Sequence, residues 1–168
     1  MHIFTENLAV EVCIYYKTLA LEFGKVPKIF TLVKDDGHQY LFFVEDLKMG
    51  RKEESDFLTF IVNEEDAVCY ARGGLFVQES EQQTIEVYIT DRHDPQAIWC
   101  EAKLTRDEEG KPVAVSDFHK QLVPKDKVLY GWFFNKLEIS EEHKIKYRAT
   151  WDAIKPRILN REMHHSAG

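Results

Sequence analysis

Hydrophobic positions along the chain follow two different periods. In residues 7–23, Leu8, Val12, Tyr15 and Leu19 fall on one helical face, with Thr5 placed to cap the start and Gly24 the end. This spacing predicts a first helix. Pro27 stops it, and two apolar runs, 28–34 and 39–44, flank Asp35-Asp36-Gly37-His38, whose Asp-Gly step favours a tight reversal. An antiparallel hairpin is expected there. After the polar stretch 49–56, Phe57, Leu58, Phe60 and Ile61 return to helical spacing and predict a short second helix that ends before Asn63.

From Ala67 the period becomes two. Runs at 67–77, 82–91, 97–106 and 112–119 alternate apolar and polar residues, and short charged or turn-forming segments separate them. Such short connections favour sequential antiparallel pairing. Gly73-Gly74 interrupts the first run and predicts a bulge. Residues 128–134 form the most apolar stretch, too short to cross a membrane, and are expected as a buried strand or short helix. Ser140 is placed to cap a last helix carrying Tyr147, Trp151, Ile154 and Ile158 in one row; Pro156 should kink or end it, and residues 163–168 are expected to fray. The expected fold class is α+β, a single domain in which an antiparallel meander between about Ala67 and His119 is packed by an N-terminal and a C-terminal helix.

Size and composition agree with one core: 168 residues, 44% hydrophobic and 12% aromatic. The first residues lack a basic and then apolar leader and no apolar run is long enough to span a membrane, which predicts a cytoplasmic protein without a membrane partner. Cys13, Cys69 and Cys100 lie in apolar surroundings with no CxxC spacing, so they read as reduced core thiols. Charge is segregated. Residues 1–119 carry 12 Lys+Arg against 23 Asp+Glu (12 − 23 = −11), and residues 120–168 carry 10 against 6 (10 − 6 = +4). An acidic body repels a phosphate backbone, so a nucleic-acid contact is expected only along the basic segment that opens at Lys144 and closes at Arg161.

The order of helix, Val26-Pro27-led strand, Asp-Gly turn, strand, helix, strand from Ala67, and then the Asp91-Arg92 strand end and the Arg106-Asp107…Gly110-Lys111-Pro112 turn resembles a group of uncharacterised small bacterial and phage-borne α+β proteins. The similarity runs from Val26 to Pro112 and leaves out everything from Lys120 onward. It implies a fold and a bacterial or phage setting, and it carries over no catalytic residue.

Candidate chemistry follows from register. If Arg92 to Pro95 closes a hairpin, Ile85, Val87 and Ile89 must share a face with Ile98, Cys100, Ala102 and Leu104, which sets Cys100 opposite Val87 and Ile98 opposite Ile89. The other face then sets Glu86 opposite Glu101, Tyr88 opposite Trp99 and Thr84 opposite Lys103. Opposed glutamates ask for a cation, a shared proton or a basic neighbour, and Lys103 is a candidate. Glu86, Glu101 and Lys103 together resemble the PD-(D/E)xK nuclease arrangement, in which carboxylates hold Mg²⁺ and a lysine assists the attacking water; Asp91 or Asp94 is an alternative acid. The bland account is a solvated strand face with alternating charge, and the usual Pro-Asp pair is absent.

Tyr88, Trp99 and Tyr70 can form an aromatic stripe beside these carboxylates. Exposed, it would bind a partner; covered by the C-terminal helix, it would be core. No HExxH, GxSxG, P-loop or GxGxxG sequence is present, and the histidines are scattered, with His164-His165 the only adjacent pair. The first expectation is therefore a non-enzymatic protein-interaction domain, accessory or inhibitor-like, which needs no cofactor. The alternative is a metal-dependent nuclease using Glu86, Glu101, Lys103 and Mg²⁺.

Overall fold

A computed structural model describes residues 1–136 and 138–162. The expectation of fraying at 163–168 lies outside the described residues, as do His164 and His165. In chain order the elements are α1 (Ile3–Phe23), β1 (Ile29–Lys34), β2 (His38–Phe43), α2 (Arg51–Glu64), β3 (Ala67–Val77), β4 (Gln83–Asp91), β5 (Gln96–Arg106), β6 (Pro112–Val115), β7 (His119–Pro124), α3 (Glu141–Ile154) and β8 (Leu159–Glu162). The eight strands form one antiparallel sheet in the order β6-β5-β4-β3-β1-β2-β8, with β7 beside β5 on the same edge as β6. The expected α+β class, with N- and C-terminal helices on an antiparallel sheet, is what the chain forms.

Both faces of the sheet are buried, by different means. Odd-numbered β4 residues Ile85, Val87 and Ile89 join Cys69, Ala71, Ile98 and Cys100 under Leu8, Val12, Tyr16 and Leu19 of α1. The opposite face packs Phe30, Leu32, Phe42 and Tyr70 against Phe57 and Ile61 of α2 and Tyr147 and Trp151 of α3. α2 contributes Phe57 and Phe60 and α3 contributes Tyr147 and Trp151, so with Phe30, Tyr40, Phe42, Tyr70 and Phe133 this half of the core is mostly aromatic.

Several local expectations change. The helix begins at Ile3 with His2, not Thr5, at the cap: His2 Nδ1 accepts the Phe4 N–H at 3.1 Å. Thr5 sits inside the first turn and donates its hydroxyl to Asp91 Oδ2 at 2.7 Å. The second helix is longer than apolar spacing indicated, because polar residues 51–56 form its outer first turns. Gly73-Gly74 makes no bulge; β3 and β4 pair without a break from Cys69↔Asp91 to Val77↔Gln83. Gly73 is required for another reason: a Cβ there would stand 2.6 Å from Tyr16 Cε2.

The run expected as one strand at 112–119 is two. Both pair with β5, at Leu104↔Val115 and at Glu101↔His119, and residues 116–118 form the break between them. Residues 128–134 are neither strand nor helix but a series of turns. Finally, α3 ends at Ile154, just ahead of Pro156, and the chain returns as β8 on β2. The basic segment is thus a helix followed by a strand.

Candidate functional site

The β4–β5 register is the one that the apolar sets require: Val87↔Cys100 and Ile89↔Ile98 face α1, while Glu86↔Glu101, Tyr88↔Trp99 and Thr84↔Lys103 face the other way. Glu86 is buried, with 8% of its surface exposed. Its Oε1 accepts hydrogen bonds from the Tyr88 hydroxyl at 2.7 Å and the Trp99 indole N–H at 3.1 Å, and its Oε2 accepts from Thr84 Oγ1 at 3.2 Å. Three neutral donors therefore satisfy the carboxylate, and Lys103, which is exposed, is not among them. Burial first, and then the Glu86 carboxylate that takes its hydrogen bond, raise the Tyr88 hydroxyl well above the ordinary phenol range.

The aromatic stripe is closed over, and not by the C-terminal helix. Tyr70 is fully buried, donates its hydroxyl to the Tyr130 carbonyl and accepts from the Phe133 N–H at 3.2 Å. Tyr130 meets the Tyr88 ring edge-on at 6.2 Å, and Val128 packs with Tyr88 and Ala97. The turns at 128–134 are thus the cover. Trp99, stacked on Tyr88 at 6.0 Å, remains half-buried as the outer end of the stripe.

Arg72 fastens this cover. Its guanidinium lies 4.6 Å from the centroid of Tyr130, donates to Glu54 Oε1 of α2 at 3.2 Å and to the Gly73 carbonyl at 2.6 Å. Register places Arg72 opposite Tyr88. An arginine within an otherwise apolar strand run was the available sequence signal, and only the long-range contact to Tyr130 gives it meaning.

The carboxylates do not converge. Asp91 is on the α1 face, where Oδ2 accepts the His2 N–H at 2.8 Å and Oδ1 accepts the His93 N–H at 2.9 Å. Burial pushes its carboxyl up, but these hydrogen bonds and that from Thr5 outweigh burial and hold it below the usual range. Asp94 lies in the β4–β5 loop, accepting the Gln96 N–H at 2.8 Å. Among the described residues no group of three or more His, Cys, Asp or Glu side chains is placed to hold a metal ion.

Three cations of the basic segment are paired with the acidic body. Lys146 pairs with Glu53 at 2.8 Å and Arg148 with Glu64 at 3.1 Å, both across the α2–α3 contact, and Lys155 pairs with Glu65 at 2.8 Å. The charge segregation seen in the sequence is in good part an intramolecular complementarity.

The feature that sequence reading passed over is the outer side of α1. Ile3, Val10, Ile14 and Leu21 are 40, 59, 61 and 38% exposed, and Phe23 beyond them 64%. With Asn7 and Lys17 they occupy positions 3, 7, 10, 14, 17 and 21, the alternating three-and-four spacing of a single ridge. Beside Ile14 a shallow groove of about 310 Å³ runs between Glu11, Tyr15 and Thr18 of α1 and Gln39 and Leu41 of β2. A helix with aliphatic residues on both sides and only one side covered presents a surface suited to another helix. No described helix is long and apolar enough to cross a membrane. The chain matches no protein-family model, no curated protein and no solved structure.

Proposed function

We propose that this protein is a non-enzymatic protein-interaction domain, accessory or inhibitor-like, belonging to a bacterial or phage-borne setting and acting in the cytoplasm. The observation that carries the reading is the uncovered aliphatic ridge of α1. Aliphatic side chains this exposed on a well-formed 21-residue helix lose free energy to water that a partner would recover, each a fraction of the roughly 1.5–3 kcal/mol that complete burial from full exposure gives, since they are 38–61% exposed. The partner contact is placed on this ridge and not on the Tyr70–Tyr88–Trp99 stripe, because the turns at 128–134 already bury the first two of those rings.

The metal-dependent nuclease reading finds less support. Glu86 would have to exchange three neutral donors for Mg²⁺, and Lys103 and Glu101 stand outside its hydrogen-bond set. The deciding experiment is affinity capture with purified chain and its Val10→Glu and Ile14→Glu variants, run beside a Mg²⁺-dependent DNA and RNA cleavage assay. Retention of a protein by the wild type and its loss with either variant is the expected result. Retention indifferent to both substitutions, or cleavage abolished by Glu101→Ala, would reverse the assignment.

A further inference from the structure

Resting on the interaction reading just given, we infer that the partner of the α1 ridge is a second copy of the same chain, packed antiparallel through α1 about a two-fold axis. The support is internal symmetry. Run in the opposite direction against itself, the ridge sets Ile3 against Leu21, Val10 against Ile14 and Asn7 against Lys17, so every aliphatic residue meets an aliphatic residue and the two polar positions meet each other. A ridge that evolved for an unrelated helix has no reason to be its own complement. A two-fold contact does, since each position is used twice, once from each side.

The parallel alternative is disfavoured by charge. It would set Lys17 against Lys17 between the Ile14 and Leu21 contacts, and like charges brought together are costly even with Asp117 4.0 Å from each ammonium. In the antiparallel arrangement the two lysines are separated toward opposite ends of a helix about 30 Å long. The two most exposed aliphatic residues of the ridge, Val10 and Ile14, fall at the two-fold axis, where burial is most complete. The groove between α1 and β2 leaves room on that side for the second helix to seat against Ile14. With a net charge of −7 on each chain, the association is aliphatic in origin and opposed by overall repulsion, so added salt strengthens it.

Analytical ultracentrifugation across a concentration series of the full chain gives the first readout, at low and at moderate salt. A monomer–dimer equilibrium that tightens with salt is expected, and Ile14→Glu, which removes an aliphatic residue from both sides of the axis, should weaken it by roughly 100-fold or more. Circular dichroism melting confirms that the variant folds, and Val10→Glu serves as a second variant with the same expected loss. The orientation is read by cross-linking in a Cys13→Ser background: mixing Ile3→Cys protein with Leu21→Cys protein gives a disulfide-linked dimer, and neither variant alone does. A wild type monomeric at all concentrations overturns self-pairing while leaving the capture result, and with it the interaction reading, to stand or fall separately. A dimer unaffected by both glutamate substitutions, or Ile3→Cys protein that cross-links to itself, overturns it equally.

Discussion

Trp99 donates its indole N–H to Glu86 across the β4–β5 pair at 3.1 Å, and Tyr88, stacked on the same indole, donates to the same oxygen at 2.7 Å. Two aromatic donors on adjacent strands thus share one carboxylate oxygen inside the sheet. The opposition of Glu86 to Glu101 is made tolerable by this arrangement, because one glutamate is turned into the protein and held there while the other stays nearer to water.

Glu86→Ala should accordingly destabilise the fold by about 2–4 kcal/mol, since it leaves the Tyr88 hydroxyl and the Trp99 N–H with no acceptor and the Thr84 hydroxyl with only the Phe76 carbonyl, 3.5 Å away. Glu86→Gln keeps an acceptor oxygen and should cost only about 1 kcal/mol. Urea denaturation followed by tryptophan fluorescence separates the two. Equal losses would mean that charge, not the shared acceptor, is what the site requires.

Gly73 and Gly74 are adjacent and chemically identical, yet they should respond oppositely to alanine. At Gly73 the new methyl meets the Tyr16 ring at 2.6 Å, and that ring is pinned by its hydroxyl, which donates to the Pro27 carbonyl at 2.7 Å and accepts the Ile29 N–H at 3.0 Å. At Gly74 the nearest atom is 3.7 Å away, an ordinary contact. Gly73→Ala should lose about 2 kcal/mol or more, and Gly74→Ala should be neutral or slightly stabilising. Thermal melts of the two variants side by side test this.

The α1 face and the helix–strand order were legible in the sequence, since Leu8, Val12 and Leu19 recur at one period and Ile85, Val87 and Ile89 at another. Even the register of Glu86 and Trp99 followed, because a sheet face buried under a helix admits only one. What was not legible depends on contacts distant along the chain. Nothing near Tyr88 shows that Tyr130 will cover it, and Arg72 gains its role only when Glu54 and Tyr130 arrive. The outer ridge of α1 escaped for a different reason. Its apolar row is interleaved with the core row, and the two together blur the amphipathic signal that either would give alone.

Thiol reactivity should be uneven. Burial pushes the Cys69 thiol up to about 12, so at pH 8 it should resist a maleimide in the native state. Cys13 donates its S–H to Cys100, which lowers the Cys100 thiol against the opposing effect of burial, and Lys120, its cross-strand neighbour, adds to the lowering. One member of that pair should therefore label ahead of Cys69, as peptide mass mapping after brief exposure can show. Prior labelling of Cys69 would contradict the placement of that side chain.

Asp91 predicts the acid limb of stability. Its folded-state carboxyl lies below its unfolded value of about 3.9, so its contribution is fully present above that pH and is lost as the pH falls through the folded value. Asp91→Asn should cost about 2 kcal/mol at neutral pH by weakening the hold on His2 and Thr5, and should flatten the fall in stability below about pH 4. Denaturant midpoints measured from pH 3 to 7 for both proteins give the comparison. Parallel curves would remove Asp91 from the account, leaving Glu65, which is also held low, to explain the acid limb.

The pairing of α3 with α2 makes a prediction about nucleic acid that a sequence charge map alone does not make. The map singles out α3 as the basic element, but Lys146 and Arg148 already have carboxylate partners in Glu53 and Glu64. A phosphate backbone must compete with those carboxylates and with the acidic surface around them. Wild-type chain should therefore bind a short DNA duplex very weakly even at low salt. Replacing the two carboxylates, as Glu53→Gln with Glu64→Gln, releases both cations without changing their positions, and should raise the affinity about tenfold at low ionic strength, with the gain vanishing as salt screens it. Fluorescence anisotropy against salt concentration measures both terms. If the double variant binds no better than the wild type, the cations of α3 are not restrained by α2, and their role lies in fastening the two helices together.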